Sequence, residues 1–231
     1  MNSIKRITSD VIGLLFPELC AGCSLTLYYG ERTICEHCLY DLPYTDFHIN
    51  KNNPVAQQFW GRVPVEAAMA MLYFRKGTKV QSLIHHLKYK GQSEVGFKLG
   101  GLLGARLMLS EQYKAIDYII PVPLHLKKER IRGYNQSIFI AEGIAQVLQI
   151  PVKTAYLFRN KLTESQTQKS RYIRYQNMES VFSVRQPEQI NQKHILLVDD
   201  VLSTGATLEA CGNSLLHSGI KKLSIATLAF S

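Results

Sequence analysis

Ile195-Leu196-Leu197-Val198-Asp199-Asp200-Val201-Leu202-Ser203-Thr204-Gly205-Ala206-Thr207-Leu208 is the stretch from which the rest of the chain is read. Its opening is continuously apolar, the pattern of a central strand in a parallel sheet covered on both faces. The run ends in two carboxylates, and a turn of small residues then opens a helix whose apolar face is Leu208, Cys211 and Leu215. Small residues let the backbone wrap closely around a phosphate, and Gly205 permits the unusual dihedrals this demands. The N–H groups at a helix start are unpaired and point at an anion. Ser203, Thr204 and Thr207 add hydroxyl donors. Asp199 and Asp200 are poor phosphate ligands but good acceptors for sugar hydroxyls, and they can help hold a divalent metal. A carboxylate pair beside a phosphate cradle suits a phosphosugar. The plain alternative is a helix cap, because Asp and Ser/Thr are common at helix starts; a cap needs one such residue, not the whole run. Neither Gly-x-x-x-x-Gly-Lys nor Gly-x-Gly-x-x-Gly is present, so the loop is not one of those nucleotide-binding types.

Working outward, helices and strands alternate. Val80, Leu83, Ile84 and Leu87 have helical spacing, a second amphipathic helix is predicted over 94–109, and Ile138, Ala141, Ile144, Ala145 and Leu148 mark a third. Short strands are predicted over 117–122, 152–158, 181–184, 194–198 and 223–230, with a helix over 208–216. Residues 160–178 are polar without sustained apolar period, and are read as a long surface loop. Such alternation implies an α/β fold with a mostly parallel sheet flanked by helices, whose ligands sit beyond the carboxyl ends of the strands.

Four of the five cysteines fall in residues 1–50. Cys20-x2-Cys23 is followed, after eleven intervening residues, by Cys35-x2-Cys38, the spacing of a tetrahedral four-thiolate zinc site. Disulfides are the alternative, disfavoured because nothing marks the chain for secretion. His37 reads as a bystander, and Cys211 as an inert core residue. A polar stretch rich in turn formers, residues 48–56, reads as a linker. The expected organisation is a zinc-binding module over 1–50 and a larger domain over 51–231.

The chain has 231 residues, enough for one medium domain plus a small appendage, and a formal net charge of +9. That excess points to anionic partners, whether phosphorylated metabolites, nucleic acid or acidic surfaces, or serves only solubility. No apolar run approaches the roughly 18–20 residues of a membrane helix. Lys5, Arg6 and the apolar run 11–16 imitate a signal peptide, but Asp10, Pro17 and Glu18 bracket a run that is too short. The expected location is the cytoplasm.

The quoted stretch matches the 5-phosphoribosyl-1-pyrophosphate (PRPP) signature of type I phosphoribosyltransferases. Pro121-Val122-Pro123 followed by Arg132-Gly133-Tyr134-Asn135-Gln136 resembles the ComF/GntX branch of that family, the competence-associated phosphoribosyltransferase-like proteins. So do Leu87-Lys88-Tyr89-Lys90-Gly91, the cysteine pairs, and the segment from Gln166 through Arg174 to Asn177. The resemblance implies a type I phosphoribosyltransferase fold with an N-terminal four-cysteine zinc module. It implies that Asp199 and Asp200 contact ribose hydroxyls, that residues 203–207 hold the 5-phosphate, and that Pro121, Val122 and Pro123 form the pyrophosphate loop. Gln166 and Arg174 would belong to a lid, with Lys161, Lys169 and Arg171 as further lid cations. Arg132, with Lys127, Lys128 and Arg130, could face pyrophosphate, although a solvated basic turn explains these residues equally well.

Two functions compete. In the first, phosphoribosyl passes from PRPP to an unidentified acceptor, with Mg2+ and nearby cations stabilising the departing pyrophosphate and Asp199, Asp200 and Arg132 as catalytic residues. In the second, the chain is a PRPP-responsive, nucleic-acid-binding accessory protein of DNA uptake, with single-stranded DNA or competence-machinery proteins as partners. A scaffold that keeps the site without catalysis is a third reading. A homodimer is a further expectation, since related folds often pair.

Overall fold

The apolar run that opens the quoted stretch lies inside a strand of a parallel sheet. The computed structural model describes residues 17–89, 91–160 and 181–231. In chain order it contains helices α1 (Glu36–Tyr40) and α2 (Pro54–Gln57), strand β1 (Ala67–Tyr73), helices α3 (Lys79–Tyr89) and α4 (Ser93–Met108), and strand β2 (Tyr118–Pro121). There follow helices α5 (Leu126–Arg132) and α6 (Gln136–Leu148), strands β3 (Leu157–Arg159) and β4 (Phe182–Val184), helix α7 (Pro187–Ile190), strand β5 (His194–Leu202), helix α8 (Ala206–His217) and strand β6 (Lys222–Phe230). The main sheet has the order β1-β6-β5-β2, and every pairing in it is parallel. Residues 194–198 of β5 and 67–72 of β1 are buried without interruption, as strands covered on both faces must be.

Three elements differ from the sequence expectation. β5 does not stop at Val198. Its ladder with β6 continues through Asp199↔Thr227, Val201↔Ala229 and Leu202↔Phe230, so both aspartates are strand residues held in extended backbone by their neighbour. The strand expected over 152–158 is broken. Ile119 donates to Pro151 O at 3.1 Å and Lys153 donates to Ile119 O at 2.8 Å, giving a single bridge between Ile119 and Val152. The next donor along β2 would be Pro121, which has no N–H, and the ladder ends there. The chain then forms β3, which pairs antiparallel with β4 in a separate sheet. Strand β1 carries no strand signal in its sequence, Ala-Ala-Met-Ala-Met-Leu-Tyr, because Ala and Met lack the β-branching that marks strands.

The segment before β1 is tied to the sheet. Thr45 N donates to Met71 O at 2.9 Å and Tyr73 N to Pro43 O at 2.9 Å, flanking an antiparallel bridge between Tyr44 and Leu72. The stretch expected as a linker contains most of α2 and the buried Asn53, whose Nδ2 donates to Phe47 O and to Ala68 O while its Oδ1 accepts from Val55 N and Ala56 N. The expected loop over 160–178 lies, apart from Asn160, outside the described residues.

Helices α4 and α6 touch along their backbones. A Cβ on Gly100 would collide with Ile140 O, and one on Gly143 with Phe97 O, so only glycine allows this approach. The contact fixes α6, whose first turn reaches the aspartates.

Candidate functional site

The acid pair sits at the carboxyl end of the sheet. Asp200 is 5% exposed, and a buried carboxylate needs a counter-charge. Lys88, from the end of α3, supplies it: its Nζ lies 2.9 Å from Asp200 Oδ2, an ion pair between groups 112 positions apart. Asp199 faces a different environment. Its Oδ1 accepts from the Ser137 hydroxyl at 2.9 Å and from the Asp200 backbone N–H at 2.9 Å. Burial, and after it the negative charge of Asp200, push the Asp199 carboxyl up to about 7, against the opposing pull of those two hydrogen bonds and of Lys88. One carboxylate is thus matched to a cation while its neighbour is poised to exchange a proton near neutrality.

Beyond the pair, residues 199 and 201–208 surround a hollow of about 50 Å3. Gly205 has φ +74°, a left-handed conformation that costs glycine little, and it is the N-cap of α8. No side chain caps this helix start, and Ser203, Thr204, Ala206 and Thr207 are exposed. Among the described residues, the backbone N–H groups of 203–207 make no hydrogen bond to protein. Unpaired amides at a helix start beside a small hollow are the arrangement that can cradle an anion. Further along α8, Leu208, Cys211 and Leu215 are buried as the spacing predicts.

The segment 121–137 brackets the pair. Pro121 pairs with Val198, and Val122 N donates to Val198 O at 2.9 Å, which sets Pro121, Val122 and Pro123 beside the start of the acid pair. Asn135 is buried and works in two directions: Nδ2 donates to Val122 O at 2.9 Å, and Oδ1 accepts from Ser137 N, starting α6. Gly133, at φ +80°, ends α5 and turns the chain toward Asn135. Arg132 lies one layer out. Its guanidinium stands 5.2 Å from the Tyr89 ring centroid and donates to Gln136 Oε1 at 2.8 Å. Tyr134 hydroxyl donates to Leu87 O, joining this segment to the end of α3 that carries Lys88. Lys127, Lys128 and Arg130 are exposed on α5. Gln166 and Arg174, with Lys161, Lys169 and Arg171, lie outside the described residues.

The structure thus brings together Asp199, Asp200, residues 203–207 and Pro121–Pro123. It adds two residues to which the sequence reading assigned no role, Lys88 and Ser137. Lys88 stood inside a quoted motif, and Ser137 follows another directly, so both signals were adjacent to motifs without a chemistry attached to them. His85 rests against Tyr89 with ring centroids 5.2 Å apart.

The cysteine pairs converge. The Sγ atoms of Cys20, Cys23, Cys35 and Cys38 all lie within 4.8 Å of one another, and no disulfide joins them. A tetrahedral metal with bonds of about 2.3 Å to sulfur requires sulfurs about 3.8 Å apart, and Cys23 and Cys35 are separated by 3.8 Å. Backbone N–H groups of Gly22 and Cys35 donate to Cys20 Sγ at 3.3 Å, and that of Cys38 donates to Cys35 Sγ at 3.4 Å. Burial raises the Cys20 thiol, yet the amides of Cys35, Cys23 and Gly22 outweigh it and bring the group down to about 7. A Cβ on Gly22 would stand 3.0 Å from Cys38 Sγ, so the turn is tight because it is glycine. The four thiols are placed to hold a metal ion. His37 is exposed on α1, as a bystander would be. No helix among the described residues is long and apolar enough to cross a membrane.

Comparison with known proteins agrees with this geometry. A family model described as phosphoribosyl transferase domain matches residues 135–231, which contain Ser137, both aspartates and the whole cradle. The DNA utilization protein YhgH of Shigella flexneri is 27% identical over 224 residues, covering 89% of this chain and 94% of that protein. Competence protein F of Haemophilus influenzae is 27% identical over 215 residues, covering 91% of this chain and 90% of that protein. Among solved structures, the glutamine PRPP amidotransferase from B. subtilis has a TM-score of 0.46 and 20% identity over 62% of this chain and 30% of its own. Residues 135–231 thus match a phosphoribosyl transferase domain, and nearly the whole length of the chain is similar to a DNA utilization protein and to a competence protein.

Proposed function

We propose that the chain binds PRPP with Mg2+ and transfers its phosphoribosyl group to an acceptor. The observation that carries this reading is the contiguity of an acid pair, Asp200 buried and Asp199 half-buried, with an uncapped, small-residue helix start. Residues 203–207 take the 5-phosphate on their amides and hydroxyls. Asp199 and Asp200 accept from the ribose hydroxyls, and the 121–123 loop lies on the pyrophosphate side. Transfer breaks the bond between C1 of ribose and pyrophosphate, so positive character grows on the sugar and negative charge on the leaving group. Mg2+, when bound, neutralises part of the pyrophosphate charge. Lys88 is positioned at the acid pair and Arg132 one layer away, and both can add positive charge on that side. The lid role assigned to Gln166 and Arg174 follows from the family resemblance and is part of the same proposal. The test is pyrophosphate release on mixing protein, Mg2+ and PRPP with candidate acceptors such as bases, ammonia and glutamine. Acceptor-dependent release supports a transferase; PRPP binding without any release removes catalysis from the reading.

The names of the relatives favour a second reading, PRPP-responsive handling of single-stranded DNA. The net charge of +9 and the exposed Tyr28, Tyr29 and Tyr40 around the cysteine cluster suit it. Binding to an oligothymidine that weakens steeply with salt and changes with PRPP supports this reading; no binding at low salt excludes it. For the cysteine cluster we propose structural zinc, because four thiolates leave no open position for catalysis. Metal analysis of the purified protein decides that assignment.

A further inference from the structure

We infer that Arg62, in the segment between α2 and β1, is the positioning residue that aims the phosphate cradle at its ligand. The inference rests on the proposed PRPP reading and assigns to that site a residue outside the cradle and outside the matched domain.

Arg62 Nη1 donates to Gln58 O at 3.1 Å and to Thr204 O at 3.1 Å, while Nη2 pairs with the Glu209 carboxylate in the first turn of α8. One planar guanidinium therefore grips a backbone carbonyl of the loop and a side chain of the helix that the loop opens. Its fixed fork can do this; a lysine ammonium cannot span the same three oxygens with defined directions. Phe59 and Gln58 of the same segment back the loop, since a Cβ on Gly205 would lie 3.4 Å from Phe59 Cε1 and 3.5 Å from Gln58 Oε1.

Pinning the Thr204 carbonyl has a consequence for the opposite edge of the same peptide. In a trans peptide the C=O and the following N–H point in opposite directions. The Thr204 carbonyl accepts from a guanidinium that does not line the hollow. The Gly205 N–H is therefore directed away from Arg62, and Gly205 itself lines the hollow surrounded by residues 199 and 201–208. With φ at +74°, Gly205 has no Cβ to resist rotation of this peptide, so an external grip is what keeps its amide aimed. Glu209 absorbs the remaining charge of Arg62, so Arg62 acts on backbone direction and not as a cation facing phosphate.

The cradle would hold the 5-phosphate and not pyrophosphate, and this yields a readout that general loosening does not give. Wild-type protein, Arg62→Met and Arg62→Lys are titrated calorimetrically with ribose 5-phosphate, with PRPP and Mg2+, and with Mg2+ and pyrophosphate, and their melting temperatures are compared. The expected result is a loss of roughly tenfold in affinity for ribose 5-phosphate and for PRPP, the effect of one charge-assisted hydrogen bond. Pyrophosphate affinity stays unchanged, and Arg62→Lys does not rescue. If Arg62→Met fails to fold, Arg62→Lys alone carries the test with the same expected split. Unchanged ribose 5-phosphate affinity, or equal losses for pyrophosphate, overturns the role of Arg62 while leaving the PRPP site standing. A wild-type protein that binds neither ribose 5-phosphate nor PRPP overturns the PRPP reading itself, and the role of Arg62 with it.

Discussion

Lys88 Nζ lies 2.9 Å from Asp200 Oδ2, and this pair anchors the end of α3 to the end of β5. Both side chains are largely withdrawn from water, at 21% and 7% exposure. Removing one partner leaves a buried charge without compensation. Lys88→Met is expected to destabilise the protein by roughly 2–4 kcal/mol in Mg2+-free buffer. Adding Asp200→Asn to it should restore most of that loss, giving a coupling energy of at least about 1 kcal/mol in a double-mutant cycle read by urea unfolding. Additive losses would show that the pair is not a stabilising contact.

Asp199 makes the fold pH-sensitive. Its carboxyl sits at about 7 in the folded chain against an ordinary value of 3.8, because burial and the Asp200 charge disfavour ionisation. A group that holds its proton more tightly when folded contributes stability below its unfolded pKa and loses it as pH rises through the folded value. Stability should therefore fall between about pH 4 and pH 7 by an amount that Asp199→Asn abolishes. Melting curves of both proteins across that range test it, and parallel curves contradict it. Ligand binding should run the other way. An ionised Asp199 accepts from a ribose hydroxyl more strongly, so PRPP affinity is expected to rise from pH 6 to pH 8.

Gly205→Ala forces a Cβ into a left-handed backbone against Phe59. The strain is about 1–2 kcal/mol, and the loop can relieve it by rotating the peptides proposed to bind phosphate. Ribose 5-phosphate affinity should drop at least tenfold while the melting temperature shifts by a few degrees. Retained affinity would mean that the 205 amide takes no part in binding.

Replacing Cys20 and Cys38 with serine removes two of the four converging thiols. The variant is expected to lose bound zinc and to speed hydrogen exchange over residues 17–50, while the sheet around β5 keeps its protection. Wild-type protein purified without any metal would contradict the zinc assignment.

Much of the fold was legible because it depends on local pattern. The apolar run 195–198, the helical spacing of Val80 to Leu87, and the two Cys-x2-Cys pairs each report their environment within a few residues. The candidate site proposed here is legible in the sequence where it is contiguous, from Asp199 to Thr207. What escaped is set by distant partners. Lys88 acquires its meaning from Asp200, Ser137 from Asp199, and Arg62 from Thr204, and no local pattern encodes such pairings. Strand β1 escaped because its alanines and methionines pack well between β6 and the 43–45 segment without favouring a strand intrinsically. The misread strand over 152–158 turned on the missing N–H of Pro121 in its neighbour, some thirty positions away in sequence.

Calorimetric titration of the whole chain with PRPP and Mg2+ tests the central claim most directly. Saturable binding is expected at one site per chain, lost in the Asp199→Asn, Asp200→Asn double variant whose circular dichroism matches wild type. Absence of binding, or equal affinity in the double variant, would contradict the assignment of the 199–207 stretch as a PRPP site.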